Sequence, residues 1–139
     1  MNYSRYAQPL WTLQYEPVYT EAMRLPRAWL DRFPLIRFVV ADTSMRPTLS
    51  PGDRIVAVPY LRPRIGDVIV FRHPQQQRTV AVKRVTATTA GGDLVVSGDN
   101  PNVSTDSRHF GPLSRRLVIG RVVYRYGPPE RRGRLSPLG

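Results

Sequence analysis

Asp67-Val68-Ile69-Val70-Phe71-Arg72 and, after a break at 73–78, Thr79-Val80-Ala81-Val82-Lys83-Arg84-Val85-Thr86-Ala87-Thr88 are the stretches that decide the fold. Both are dense in β-branched residues and end at Gly, Pro or polar turn residues, which is the pattern of a strand. Working outward, Arg54–Val58, Asp93–Ser97 and Leu117–Tyr126 read the same way, and Ile36–Ala41 is a β-like run before them. Pro51-Gly52-Asp53 and Gly91-Gly92-Asp93 are turn signals between these runs. The chain holds 10 Gly and 14 Pro in 139 residues, which favours short elements joined by turns over long helices. Several short strands at close spacing predict an all-β domain, a compact barrel or a folded sheet.

The rest of the chain is organised around that unit. Residues 1–37 are rich in Tyr, Trp, Pro and Arg and lack strand alternation, so they are expected to form an N-terminal arm. Glu21–Phe33 reads as a short helix within it, with Pro26 in the first turn. Arg24, Arg27 and Arg32 interleave there with Trp29, Leu30 and Phe33. That mixture suits peripheral contact with a membrane through residues 21–37, or an arm packed on its own domain. Residues 38–127 make the central domain. Residues 128–139, with Pro-Pro-Glu-Arg-Arg-Gly-Arg, are expected to be a basic disordered tail.

Composition removes several classes of function. There is no Cys, so no disulfide framework and no cysteine zinc site. His73 and His109 are the only histidines, too few for a metal site of their own, and read as surface or structural residues. No cofactor is expected. Net charge is +11, which suits an anionic partner. Lys83 is the single lysine among 21 basic residues; the rest are Arg. No run approaches the roughly 20 apolar residues of a membrane helix, and the first residues lack the apolar middle of a secretion signal. The expected location on these grounds is the cytoplasm.

Three segments carry chemistry: Ser44-Met45-Arg46-Pro47-Thr48-Leu49; Lys83-Arg84; and Gly98-Asp99-Asn100 followed by Ser104-Thr105-Asp106-Ser107-Arg108 and Gly111-Pro112. Taken alone, Ser44 is an ordinary turn or cap serine. Lys83 shares its strand face with Ala81, Val85 and Ala87. An amine among apolar groups loses hydration and its pKa falls, so it can accept a proton from a hydroxyl near neutral pH. Its bland reading is a lysine whose stem lies on the sheet and whose head reaches water.

In this order the segments resemble those of type I signal peptidases, a family with a Ser–Lys dyad on an all-β fold, related to the SOS-response repressors. The intervening Gly-Asp-x-Val-x-Phe segment of that family also has its counterpart at Gly66–Phe71, and the likeness runs over roughly residues 38–125. The resemblance implies a serine endopeptidase in which Ser44 is the nucleophile and Lys83 the general base. By the same likeness Ser104 would hydrogen-bond and orient the Lys83 amine, Asp106 and Arg108 would form an ion pair beside the site, and the Ser44 backbone N–H would donate to the oxyanion. Met45 is a candidate for substrate contact. One position departs from the family: two residues before the nucleophile, where many bacterial members carry Ser and others Gly, this chain has Asp42. A carboxylate aimed at an oxyanion would repel it, so the second oxyanion donor is unassigned.

Only nine residues, Thr89 to Ser97, separate the Lys83 strand from Gly98. That shortness and the Gly98-Asp99-Asn100-Pro101 form resemble the nickel-type superoxide dismutase maturation proteases, which implies a dismutase precursor with an N-terminal leader as the partner. The alternatives are a minimal membrane-associated signal peptidase, a self-cleaving regulator, and a basic nucleic-acid-binding module without catalysis. No aromatic–basic recognition motif supports the last, so no nucleic-acid partner is expected.

Overall fold

In the computed structural model the described residues are 14–16 and 35–135. They form a mainly β structure built on one antiparallel sheet. Its strands are β1 (Gln14–Glu16), β2 (Ile36–Val39), β3 (Arg54–Val58), β4 (Val68–Arg72), β5 (Val80–Thr88), β6 (Leu94–Ser97), β7 (Val118–Gly127) and β8 (Gly133–Arg134), with one short helix, α1 (Ser107–Phe110), between β6 and β7. The order across the sheet is β1-β2-β3-β7-β4-β5-β6, and β8 pairs with β7. No pairing joins β1 to β6 among the described residues, so of the two expected architectures it is the folded open sheet that forms.

The last long strand lies in the middle. One edge of β7 runs along β3, from Arg121 opposite Val58 to Gly127 opposite Arg54. Its other edge is shared, with β4 at Val118–Arg121 and β8 at Tyr124–Arg125. Register shifts interrupt the β3–β7, β4–β7 and β5–β6 ladders. Such bulges raise the local twist and bend a strand, and the sheet buries both faces of its centre. Gly120 is needed where β7 crosses β3, because a Cβ there would lie about 3.0 Å from the Val58 backbone.

Alternation along β4 and β5 sends their residues into two cores. Val68, Val70 and Val82 join Phe38, Val40, Met45, Leu49, Ile55, Ala57 and Val122. Ile69, Phe71, Ala81 and Val85 join Leu94, Val96 and Leu113. Lys83, at the same parity as Ala81 and Val85, lies on the second face.

The chain ends differ from the simple picture of an arm and a tail. Gln14–Glu16 pairs with β2, so a piece of the 1–37 segment belongs to the sheet, and β2 itself begins at Ile36. The helix expected over Glu21–Phe33 lies outside the described residues. At the other end, residues 128–135 are held rather than loose. Arg131 makes a two-pronged pair with buried Asp53, Nε to Oδ1 at 2.9 Å and Nη2 to Oδ2 at 3.0 Å, and its carbonyl accepts from Arg125 Nε. A guanidinium matched to a carboxylate in this fork geometry orders the segment. Residues 136–139 lie outside the described residues.

Candidate active site

Ser44 sits in the loop between β2 and β3. The mouth of that loop is closed by Val40 N–H donating to the Asp53 carbonyl and Gly52 N–H donating to the Val40 carbonyl, both at 2.8 Å. Inside it, Met45 and Leu49 are fully buried in the first core and joined by Leu49 N–H to the Met45 carbonyl, 2.9 Å. This corrects the expectation that Met45 touches substrate: its flexible thioether fills the core and anchors the loop. The segment after β6 holds the loop from the other side. Asn100 donates its backbone N–H to the Ser44 carbonyl at 2.9 Å and its Nδ2 to the Thr43 carbonyl at 3.1 Å. Gly98 makes the approach possible; a Cβ there would lie 2.2 Å from Ser104 Oγ and 2.6 Å from the Ser44 carbonyl oxygen.

Lys83 comes from the middle of β5, opposite Ile69 of β4. Its Nζ lies 2.6 Å from Ser44 Oγ. The lysine is 0% exposed and the serine 2%. Burial pushes the Lys83 pKa down; the negative charges of Asp42 and Asp106 push the other way, and burial prevails. An amine of this kind gives up its proton more readily than a solvated lysine and can then take one from the hydroxyl it touches.

Ser104, Asp106 and Arg108 lie together beside this pair, although not in the arrangement expected. The Ser104 hydroxyl donates to Asp106 Oδ2 at 3.0 Å and accepts the Gly98 N–H at 3.0 Å. It is engaged by the turn, not by the Lys83 amine. Asp106 is fully buried and caps α1. It accepts from the Arg108 N–H and Nε, both at 3.0 Å, and from Gly98 N–H at 3.3 Å. Arg108 and these other donors hold its carboxyl down at about 2 in spite of burial. The Asp106–Arg108 ion pair is therefore formed, and Asp106 acts on Lys83 through charge. His109 Nδ1 accepts the Asp106 N–H at the helix start, while His73 accepts two loop N–H groups and lies edge-on to Phe110.

One feature of the site was missed in the sequence, and a second was noticed there without its placement. The first is a buried ion pair. Arg84 forks onto Asp99 at 2.9 and 2.7 Å, donates to the Gly66 carbonyl, and meets Thr48, whose hydroxyl also donates to Asp99. It ties the three chemical segments to one another. The opposite charges carried by two of those segments were the available signal, but which Asp meets which Arg depends on folding. The second is the position of Asp42. It is buried, and its Oδ1 accepts both the Ser44 hydroxyl, at 2.8 Å, and the Ser44 backbone N–H, at 3.1 Å. Its carboxylate faces Ser44.

Comparison with known proteins gives the family of the chain. The family described as signal peptidase, peptidase S26, matches residues 28–95 and 89–127. The chain is 32% identical to the mitochondrial ATP-independent inner membrane protease subunit 1a of Arabidopsis thaliana over 76% of its own length and 78% of the relative's. It is 33% identical to the mitochondrial inner membrane protease subunit 2 of Saccharomyces cerevisiae, over 68% and 69%. It is 28% identical to the probable signal peptidase I-1 of Synechocystis, over 73% and 79%. These relatives correct the expected cytoplasmic location, since two are inner-membrane proteases by name and point to a membrane. That expectation rested on hydropathy, and hydropathy detects spanning segments only; among the described residues no helix is long and apolar enough to cross a membrane. By the extent of the family match, and with a serine and a buried lysine in contact at its centre, the chain belongs to the signal peptidase family, peptidase S26, and is a serine-type endopeptidase.

Proposed function

We propose that the chain removes N-terminal leaders from precursor proteins, with Ser44 as nucleophile and Lys83 as general base. The observation that carries this is the 2.6 Å contact between Lys83 Nζ and Ser44 Oγ, both buried. Neutral Lys83 takes the Ser44 proton as Oγ attacks the scissile carbonyl, and the Ser44 N–H donates to the developing oxyanion. The tetrahedral intermediate collapses. The C–N bond breaks, the leaving amine receives the proton from Lys83, and an acyl-enzyme remains. Lys83 then deprotonates a water that attacks the ester, and the carboxylate product leaves with Ser44 restored.

For the specific substrate, the precursor of nickel-type superoxide dismutase fits the family likeness noted above. It is supported by the short β5–β6 connection, a tight turn in which Thr89 N–H donates to the Asp93 carbonyl and Gly92 N–H to the Thr89 carbonyl. Nickel would belong to the processed product. A second reading, a minimal signal peptidase acting on exported proteins at the membrane, is favoured by the membrane proteases among the relatives. Co-expression with the dismutase precursor and with an exported precursor separates the two. Mass spectrometry of the product N-termini is expected to show the dismutase leader removed by the wild type and retained with Ser44→Ala. Removal of the exported leader alone would transfer the assignment to the second reading.

A further inference from the structure

Asp42 has a place in the site that the proposed chemistry does not use. Its Oδ1 accepts from both donors of the nucleophile, the Ser44 hydroxyl and the Ser44 N–H. Each contact opposes the reaction. With its proton directed to Asp42, Ser44 Oγ meets Lys83 as an acceptor, whereas attack requires that proton to pass to Lys83. With its N–H taken, Ser44 has no backbone donor left for an oxyanion. An oxyanion forms on the carbon bonded to Oγ, lies close to that oxygen and accepts the N–H; Oδ1 meets both conditions.

We propose that Asp42 occupies the oxyanion position of the resting enzyme, and that the carbonyl of a bound substrate must displace its carboxylate before Ser44 can attack. Asp42 is then a positioning residue that restrains the nucleophile until a chain with enough binding energy arrives. Once displaced, it frees the Ser44 N–H for the oxyanion and lets the hydroxyl turn to Lys83. A carboxylate is suited to the resting role because it only accepts, and both groups of Ser44 are donors. It is unsuited to remain during attack because it would face a developing negative charge.

The inference rests on the Ser44–Lys83 reading and is tested separately from it. The probe is a tripeptide aldehyde ending in alaninal, chosen to match the small residues that precede leader cleavage sites. Ser44 Oγ adds to its carbonyl carbon, the C=O π bond opens, and the hydroxyl proton passes to Lys83, leaving a hemiacetal oxygen in the contested position. Asp42→Gly and Asp42→Ser, which remove the carboxylate, are expected to bind this aldehyde at least about tenfold tighter than the wild type. They are also expected to raise kcat/KM on the matching peptide substrate by a similar factor. Asp42→Asn keeps the size and can turn its amide N–H toward the oxyanion, so it should show part of the gain and serves if the smaller residues weaken the fold.

Removal of the Asp42 charge has a signature in the pH profile as well, beside the binding readout that reports the contested position. Two carboxylates act on Lys83, Asp42 from the Ser44 loop and Asp106 from the turn before α1, and both raise its pKa. Removing Asp42 should therefore shift the alkaline-rising limb of kcat/KM to lower pH. Folded variants with unchanged or weaker aldehyde binding, or an unmoved limb, overturn the proposal. If the wild type neither binds the aldehyde nor cleaves any precursor, the dyad reading falls and this one with it. If the wild type cleaves and no variant surpasses it, only the role of Asp42 falls.

Discussion

At the scale of single residues, the proposed chemistry depends on an amine that is easier to deprotonate than an ordinary lysine. With neutral Lys83 as the proposed base, kcat/KM should rise with pH as the amine loses its proton. Burial lowers its pKa, so the midpoint of the rise should lie below the ordinary lysine value of about 10.4. A profile flat from pH 5 to 10 would remove Lys83 as the base. Lys83→Arg should lose at least about a thousandfold in kcat/KM with the fold intact, because a guanidinium stays protonated and cannot accept the Ser44 proton. The two residues stood out through the order of the motifs that carry them and the resemblance this implies; for Lys83 alone the residue pattern added a hint, a single lysine in an arginine-rich chain, in a strand among small apolar neighbours. Ser104 and Asp42 were harder to place. A hydroxyl can join any of several partners within reach, and the competition between Asp106, Gly98 and Lys83 for Ser104 is decided by distances that sequence does not contain. Asp42 was noticed as a departure, but repulsion from an oxyanion describes the reacting state, whereas the resting state offers it two donors.

At the scale of elements, the site is a junction of the Ser44 loop, β5 and the turn from Gly98 to α1. Gly98 is the contact point of the turn with the loop. In Gly98→Ala the added methyl would meet the Ser44 carbonyl oxygen at 2.6 Å, a backbone atom that must itself shift. We expect a loss of about 1–3 kcal/mol in stability by denaturant titration and a larger proportional loss in kcat/KM, since the shift falls on Ser44, the proposed nucleophile. A stable and fully active variant would show that the loop has another resting place. Asp106 holds the same turn by charge. Its folded pKa of about 2 lies below the unfolded value near 4. The unfolded chain therefore binds the extra proton, and the stabilisation is present above about pH 4 and is lost as pH falls toward 2. Asp106→Asn should cost on the order of 2 kcal/mol at pH 7, and the gap from wild type should narrow below pH 4; a gap independent of pH would assign the effect to packing instead. The strands from β3 to β7 were readable to within about a residue. Arg54–Val58 coincides with β3, and Leu117–Tyr126 is β7 moved by one position, because Val-rich runs stop at Gly, Pro and Asp. The two-residue β8 was not readable, being too short to show any period.

At the scale of the whole molecule, the all-β class could be read from strand spacing, but not the neighbours of each strand. The pairing of β7 with both β3 and β4 depends on side-chain packing between segments far apart in sequence, where a slip of one residue exchanges the two faces. Residues 128–135 have the composition of a disordered segment, and their order comes from a partner, Asp53, far back in the chain. Location is the property that sequence hydropathy judged least well. With a net charge of +11 carried almost wholly by arginine, the molecule need not span a bilayer to be held at one. Each basic side chain near an anionic surface contributes about 1 kcal/mol, and the attraction fades within a Debye length of roughly 10 Å at 0.1 M salt. The full chain should therefore sediment with vesicles rich in anionic lipid at low salt, stay in solution with neutral vesicles, and be released from the anionic ones as salt approaches about 1 M, where the Debye length falls to about 3 Å. Retention on neutral vesicles at high salt would replace electrostatic attachment with apolar insertion. Failure to sediment under any condition would mean that the charge serves some other partner and that the membrane location suggested by the relatives requires a companion protein.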